Sequence, residues 1–202
     1  MATISWGKPQ IFIGPTTASI VNAANTSGAY DWYLLSTPVE DSTNLTGTQG
    51  DKTTANIEGG EAEATKYNAA TFELTMNVRM AIDAEGNTEK YRYLPNPLYK
   101  DVIGNNAHTE YTASSVAVVL IPQEPSAPGF YCPDCSVSIM ETYTAADGAM
   151  WEITLAPNAS ATVKAVQWGQ RYAIKKTTAG ADNTADAGIY KYQIVKGVQG
   201  IS

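Results

Sequence analysis

A strict alternation of apolar and polar residues over 71–82 is the clearest pattern in the chain. Its apolar positions are Phe72, Leu74, Met76, Val78, Met80 and Ile82. Successive side chains of a β-strand point to opposite faces, so a period of two over this length is typical of a half-buried strand. We therefore predict a long strand here, with one face on a core and the other facing water or a partner.

Shorter runs rich in β-branched and aromatic residues predict further strands. These runs are 4–6, 10–13, 30–35, 52–57, 89–94, 115–121, 136–142, 150–156, 162–168, 172–177 and 189–195. Turn clusters of Gly, Pro, Asn and Asp separate many of them at short spacing. The run 30–35 has apolar residues on both faces, which favours a strand covered on both sides. One short helix is predicted at 97–104, where Asn96 can cap a helix that begins with Pro97.

This succession of short strands and turns predicts an all-β, mainly antiparallel fold, either a β-sandwich or a partly closed barrel with one short helix. A chain of 202 residues can bury one core, and we expect a single domain over 1–202. The hydrophobic fraction of 44% and the charged fraction of 16% argue against disorder. Neither a signal-peptide pattern nor an apolar run of membrane-spanning length is recognisable. We therefore expect a protein that is made and kept soluble in a cytoplasm.

The segment from Glu40 to Glu63 carries most of the chain's negative charge. Its carboxylates outnumber its single base, Lys52, and they are Glu40, Asp41, Asp51, Glu58, Glu61 and Glu63. Few large apolar residues occur between 41 and 56, so this segment cannot bury itself well alone. The Gly59-Gly60 pair favours a tight turn or a close backbone approach. We predict a long acidic hairpin or loop at about 40–63 that is mobile in the monomer.

The acidic balance bears on nucleic-acid binding. A pI near 4.7 argues against a protein that grips phosphates with clustered Lys and Arg. Carboxylates lining a channel would instead repel phosphates, so a passing nucleic acid would not lodge there. The candidate channel-lining residues are Glu58, Glu61, Glu63 and Glu73, although Arg79 shares the predicted face of Glu73. A solvated acidic loop is the alternative, and the spacing does not match an EF-hand calcium loop.

The CPDC motif at 132–135 allows three interpretations. Cys132 and Cys135 form a redox dithiol if they begin a helix in a thioredoxin-like setting, but the motif stands between a Pro-rich loop and a predicted strand. They form half of a zinc site if Asp134 or a neighbouring subunit supplies the missing ligands, because His108 is the sole histidine. The third interpretation is a tight turn whose thiols are buried or close enough to oxidise.

The sequence offers no support for catalysis. His108 stands in a polar run, and no GxSxG-like phrase supplies a nucleophile. We therefore predict no enzyme and no cofactor. The tyrosine pairs 91 with 93 and 190 with 192 each fall on one face of a predicted strand. Such pairs are typical of a core or a protein interface, and a carbohydrate-stacking surface is the alternative.

Three phrases in and around the acidic segment carry a resemblance to a known family. They are VEDST at 39–43, GDK at 50–52 and IEGGE at 57–61, followed by the long alternating strand. This part of the chain resembles the N-terminal half of the major tail tube proteins of long-tailed phages and prophages. The remainder resembles them only in its β-rich character. The resemblance implies a tail-tube-like fold with an assembly loop that includes Glu40, Asp41, Asp51, Lys52, Gly59 and Gly60.

The same resemblance implies a function. It implies subunits joined in hexameric rings that stack into a tube in the tail of the virion. The lumen of such a tube holds a tape-measure protein and later conducts DNA. We thus expect a structural homo-oligomer made in the bacterial host cytoplasm, with tape-measure and other tail proteins as partners and without specific binding of DNA.

Two other classes of protein remain as alternatives. One is a carbohydrate-binding or adhesin-type module of the β-sandwich class, which would be a monomer with exposed Tyr or Trp and a concave face. The other is a small metal or redox domain built on the CPDC motif. The tube hypothesis instead predicts complementary sheet edges and an acidic loop that becomes ordered on assembly.

Overall fold

The computed structural model describes residues 7–22, 31–35, 38–39, 41–56, 62–79, 111–124, 127–160, 162–176 and 191–197. Regular structure in these ranges consists of β-strands, and no helix occurs within them. The all-β class is therefore confirmed. The predicted helix at 97–104 and the predicted strands at 4–6 and 89–94 lie outside the described residues.

Thirteen strands follow one another along the described chain. They are β1 Gln10–Pro15, β2 Val21–Asn22, β3 Trp32–Leu35, β4 Asn44–Thr48, β5 Lys52–Asn56, β6 Ala62–Tyr67, β7 Thr71–Arg79, β8 Tyr111–Ile121, β9 Gly129–Thr144, β10 Gly148–Pro157, β11 Gln167–Gln170, β12 Tyr172–Lys176 and β13 Lys191–Lys196. Every pair of neighbouring strands is antiparallel except β13 with β2. The mainly antiparallel arrangement that the turn spacing predicts is thus present.

Eleven of the strands form one sheet. Its order is β12-β13-β3-β1-β8-β9-β10-β7-β4, with β11 beside β9 and β2 beside β13. The path ends at β12 and β4, which do not pair with each other, so the sheet does not close into a barrel. Strands β5 and β6 form a separate hairpin.

The central strands of the sheet are buried on both faces. Alternate residues of β8 belong to two different core clusters, with Val116 and Val118 in one and Ala117 and Val119 in the other. The first cluster also takes the inner faces of β7, β9 and β10, and the second takes residues of β12 and β13. Burial on both faces explains the near-continuous apolar run of β8, and the arrangement is consistent with a β-sandwich.

Strand β3 has the two-sided burial that its sequence indicates. Trp32 and Leu35 are buried in the two different clusters, whereas Leu34 is partly exposed. The indole Nε1 of Trp32 donates a hydrogen bond of 3.1 Å to the carbonyl oxygen of Ser19. This bond holds the segment after β1 against the second core cluster, to which Ala18 also belongs.

The long alternating strand is β7. Leu74, Met76 and Val78 are buried, while Glu73 is exposed and Thr75 is half-buried. The predicted alternation is therefore confirmed up to 78, and residues 80–82 lie outside the described part of the chain. One side of β7 pairs with β10 and the other with β4.

The prediction of a strand over 162–168 is wrong for its first half. Ser160 and Val163 close a turn, in which the Ser160 N–H donates to the Val163 carbonyl and the Val163 N–H donates to Ser160 Oγ. Strand β11 begins only at Gln167. The apolar residues Ala165 and Val166 are nevertheless buried, because they belong to the first core cluster from a segment outside any strand. Burial without strand pairing explains why the pattern of this run indicated a strand.

Candidate assembly arm and polar face

The hairpin of β5 and β6 is a continuation of the ladder between β4 and β7. The β4–β7 pairing ends at Thr48 opposite Thr71, and the β5–β6 pairing begins at Lys52 opposite Tyr67. Three residues separate the two ladders on each side, 49–51 and 68–70, so the register passes through the gap unchanged. The Asn68 N–H donates a hydrogen bond of 2.9 Å to the carbonyl of Asp51 inside that gap. We call residues 49–70 the arm.

The arm has no core of its own. Every side chain that the structure describes over 51–55 and 64–70 is exposed, including Tyr67 at 52%. Eight residues of strand rise separate Thr48 from Asn56, which extends the arm by about 26 Å beyond the sheet. A two-stranded hairpin without a packed face is marginally stable in water. The arm is therefore held by its ladder and by its continuity with β4 and β7.

Gly50 allows the two sides of the arm to approach closely at its base. A Cβ at this position would collide with the carbonyl oxygens of Asn68 and Ala69. The GDK phrase of 50–52 thus lies where the arm leaves the sheet and enters β5. Only a residue without a side chain fits this contact, because the obstructing atoms belong to the backbone.

The described residues of the VEDST phrase are fastened to β7 by hydrogen bonds. The Val39 N–H donates to the carbonyl of Asn77 at 2.7 Å, and the Ser42 hydroxyl donates to the carbonyl of Val39 at 2.6 Å. The Asn77 N–H donates in turn to Ser42 Oγ at 3.2 Å. Asp41 has a φ of 57°, a left-handed conformation that Asp tolerates better than most residues. This turn places Asn44, the first residue of β4, opposite Thr75.

Small polar residues form a row across the sheet on the face opposite the first core cluster. Asn44 lies opposite Thr75, Thr75 opposite Thr154, and Thr154 opposite Ser138. Neighbouring rows on the same face add two exposed carboxylates, of Glu73 and Glu152. We call this surface the polar face, and its residues are Asn44, Thr46, Glu73, Thr75, Asn77, Ser136, Ser138, Glu152 and Thr154.

The residues predicted for the assembly loop and the channel occupy different places. Asp41 is exposed in the turn before β4, and Asp51 and Lys52 are exposed at the base of the arm. Glu63 lies in β6, and Glu73 lies on the polar face opposite Thr46. The other candidates lie outside the described residues and are Glu40, Glu58, Gly59, Gly60 and Glu61.

Sequence reasoning missed the contribution of β9 and β10 to the polar face. Glu152 and Thr154 alternate with the buried Ile153 and Leu155 in β10, and Ser136 and Ser138 alternate with buried residues in β9. The signal was present as a period of two in both runs. What the sequence alone does not give is the register that sets these residues beside β7.

The CPDC motif does not form a turn between a loop and a strand. Both cysteines lie within β9, with Cys132 opposite Val118 of β8 and Cys135 opposite Val116. Three residue steps on β9 thus face two steps on β8, which is a β-bulge. Pro133 is tolerated inside the strand because a bulge leaves a residue without ladder bonds. The expectation of a tight turn was wrong because a bulge keeps the chain extended.

The bulge places both thiols in the first core cluster. Cys132 and Cys135 are free and fully buried there. A hydrogen bond with Cys132, together with burial, raises the pKa of the Cys135 thiol. Asn158, which follows β10, holds the outside of the bulge, since its N–H donates to the Asp134 carbonyl at 2.8 Å and its side chain donates to Ser136 Oγ at 3.1 Å.

Among the described residues, no group of three or more His, Cys, Asp or Glu side chains is placed to hold a metal ion. His108 lies outside those residues. The described part of the chain also has no helix with the length and apolar character needed to cross a membrane.

No protein-family model matches the chain, and no curated protein matches it. Its fold and surfaces define a class: an all-β domain whose open sheet carries an exposed hairpin arm on one side and a polar, partly acidic face.

Proposed function

We propose that the chain is a structural, self-assembling subunit whose copies join in rings that stack into a tube, similar in role to the tail tube subunits of long-tailed phages and prophages. It would reside in the tail of the virion after synthesis in the bacterial host. The observation that carries the proposal is the arm, which is in register with the sheet yet exposed on both faces. The phrases VEDST, GDK and IEGGE support the same family of functions.

An arm of this kind gains stability from a partner. Its described residues bury no apolar surface within the chain, so the conformational entropy lost on ordering is not offset by packing. A neighbouring subunit that covers one face would supply that burial. Both outer edges of the hairpin also leave strand N–H and C=O groups available for pairing, since β5 and β6 pair only with each other among the described strands. Contact between successive rings is a function that fits these properties.

The two ends of the sheet suit lateral assembly. Within the described chain, β4 pairs only with β7 and β12 only with β13. Strand β4 has the sequence NLTGT, which contains neither Pro nor Lys to protect its edge. Strand β12 ends in two lysines, Lys175 and Lys176, so its edge is the better protected of the two. In the proposed ring, the edge of one subunit lies against that of the next and the sheets join into a continuous barrel.

The polar face supports a lumen through which DNA passes without binding. Its hydroxyl and amide side chains are short, and its two exposed carboxylates, of Glu73 and Glu152, repel phosphates. A basic surface would instead retain DNA through release of its counterions. The implied partners are further copies of the chain, a tape-measure protein inside the tube and other tail proteins at its ends.

The register of the arm defines the experiment that tests the proposal. Gln49 and Ala70 directly follow the last β4–β7 pair at matching register positions, so residues 50–69 can be replaced by Asn-Gly, a two-residue hairpin turn, without disturbing β4 or β7. A cut of the whole segment 40–63 would instead remove β4 from the sheet. Mass is measured by light scattering over a concentration series, and the most concentrated samples are imaged in negative stain.

We expect rings or tubes from the full-length chain and a folded species without tubes from the shortened chain. The matched control keeps the arm and carries Thr53→Ser and Thr65→Ser, and it is expected to assemble. Tubes from the shortened chain would contradict the role of the arm. A full-length chain that stays monomeric at every concentration would favour the binding-module alternative.

One observation favours that alternative, a carbohydrate-binding or adhesin-type module. Trp168 of β11 is 60% exposed, and its ring centroid lies 5.0 Å from that of the buried Phe130 in a tilted contact that supports the indole. An exposed, supported indole can stack on a sugar ring. Binding to a panel of glycans, lost in Trp168→Ala and retained in Trp168→Phe, would establish this function. Absence of binding across the panel would leave Trp168 as a cover for Phe130.

A further inference from the structure

The bulge in β9 lies where the strand changes neighbours. From Cys135 to Thr144 the strand pairs with β10, and from Gly129 to Tyr131 it pairs with β11 on that same side. The CPDC motif occupies the junction between the two. Strand β8 runs along the other side and returns to its original register after two irregularities, between Ala113 and Val116 and between Val116 and Val118.

The bulge also brings the two cysteines within bonding reach. Three residue steps along a regular strand span about 10 Å, which is too far for a disulfide, whose Cα atoms lie about 4.4–6.8 Å apart. Because the steps from Cys132 to Cys135 face only two steps of β8, the separation along the strand is that of two steps, about 6.8 Å. Both side chains belong to the same core cluster, and both are fully buried there.

We propose that Cys132 and Cys135 are a redox-responsive dithiol, a modification site at which a small-molecule disulfide such as oxidised glutathione forms an intramolecular disulfide within the folded domain. This property is independent of tube assembly. The thiolate of one cysteine attacks one sulfur of oxidised glutathione and releases one glutathione thiol, leaving a mixed disulfide. The sulfur of the other cysteine then attacks the protein sulfur of that mixed disulfide and releases the second glutathione. Two electrons pass from the protein thiols to the glutathione disulfide, and their two protons end on the two glutathione thiols.

The exchange needs no fixed order of attack. A thiolate is the nucleophile in disulfide exchange, and the cysteine that has not reacted with glutathione then acts as the resolving thiol. Each sulfur can take either role, because the bulge places Cys132 and Cys135 in the same core cluster.

We assign access to the buried pair to a local opening of residues 162–166. Ala165 and Val166 of that segment belong to the core cluster that holds the cysteines, yet the segment has no strand pairing. Segments with few backbone hydrogen bonds open locally at a lower free energy than the sheet. Oxidised glutathione can therefore reach the pair through local opening, without global unfolding.

The test uses the full-length folded protein with oxidised glutathione near neutral pH, followed by alkylation and intact mass. We expect the mass to fall by two hydrogen atoms, both alkylation sites to be lost, and dithiothreitol to restore them. Cys135→Ser is expected to stop at one glutathione adduct on residue 132. Cys132→Ser is expected to stop at one glutathione adduct on residue 135.

Two results would overturn the proposal. One is that both thiols of the folded protein stay reduced under conditions in which a urea-unfolded sample oxidises. The other is that the only products are disulfide-linked dimers, which either single variant would also form. Circular dichroism of each variant before oxidation shows that the comparison is made on folded protein.

Discussion

The backbone N–H of Asn68 donates a hydrogen bond of 2.9 Å to the carbonyl of Asp51, between the ladder of β4 with β7 and that of β5 with β6. This bond bridges the base of the arm, in the gap between the last residue pair of one ladder and the first residue pair of the other. It lies beside Gly50, whose missing side chain leaves room for the carbonyl oxygens of Asn68 and Ala69. The arm and the sheet are therefore joined through a short stretch that depends on close backbone contact.

Gly50→Val is expected to separate the two sides of the arm at its base. The new side chain would collide with backbone atoms, which cannot move aside as a flexible side chain would. Hydrogen exchange is expected to become faster at the amides of β5 and β6 and to stay unchanged at the amides of β8. Gln49→Val is the control, because it adds the same side chain at an exposed neighbour. Equal exchange in both variants would show that the base of the arm tolerates a side chain.

Ser42→Ala is expected to destabilise the domain by about 1–2 kcal/mol, since it removes a hydroxyl that accepts from the Asn77 N–H and donates to the Val39 carbonyl. The urea midpoint of unfolding measures the change. Asp41→Gly keeps these bonds and suits the left-handed conformation of that residue, so its midpoint is expected to stay close to that of the wild type. A midpoint for Ser42→Ala that equals the wild-type value would mean that water replaces the hydroxyl.

Neighbouring residues of β10 are expected to differ sharply in their contribution to stability. Ile153 is fully buried, and Ile153→Ala is expected to cost about 2–5 kcal/mol through lost burial and a cavity. Glu152 is exposed on the polar face, and Glu152→Ala is expected to stay within about 0.5 kcal/mol. Urea unfolding of both variants tests which face of β10 packs on the core. A large loss from Glu152→Ala would contradict the assignment of the polar face.

Stability is expected to fall in alkali as the tyrosines titrate. Burial, with Tyr131 and Cys132 nearby, raises the pKa of Tyr172 from 10.0 to about 12. The unfolded chain loses this proton at lower pH than the folded one, so the contribution to stability is complete below pH 10.0 and is lost as the pH rises towards about 12. Urea midpoints at pH 9 and pH 11 are expected to differ less in Tyr172→Phe than in the wild type. An equal fall in both would assign the loss to other groups.

Reversal of charge on the polar face is expected to create an affinity for DNA. The double variant Glu73→Lys with Glu152→Lys replaces two exposed carboxylates by ammonium groups, and its binding to duplex DNA is expected to weaken as salt is raised. Glu73→Gln with Glu152→Gln is the control, because it removes the negative charges without adding positive ones. Fluorescence anisotropy of labelled DNA measures both. Tight binding by the wild type would contradict a lumen that DNA traverses freely.

The sequence predicts those parts of the fold in which burial decides the pattern. Alternation over Leu74, Met76 and Val78 identifies β7, because one face of that strand lies on the core. Strands β4 and β6 show no such alternation in the sequence, since their residues are mostly small, polar and exposed. They are held by backbone pairing, β4 with β7 and β6 with β5. Pairing depends on residues distant in sequence, and no local pattern records it.

The prediction of a tight turn at the CPDC motif was wrong for a related reason. Buried positions of β9 follow Phe130 and Cys132 and then Cys135 and Val137, so the alternation changes phase at the bulge. A change of phase and a turn look alike in a local pattern, and the motif's Pro133 favours a turn. The candidate site was predicted in the same partial way. The acidic segment identified the region of the arm, but the polar face required the register of β7 with β10 and β9.

The register that continues from β4 and β7 into the base of the arm determines how the domain would carry mechanical load. A pull on the tip of the arm acts parallel to β4 and β7, so it is transmitted along the covalent backbone into the sheet. There β7 is hydrogen-bonded to β10 from Leu74 to Arg79, and tension along the strand shears these bonds together instead of opening them one after another. Strands loaded in shear resist extension collectively. Tension on the arm would therefore be borne by the hydrogen bonds between β7 and β10, two strands whose inner residues belong to the first core cluster.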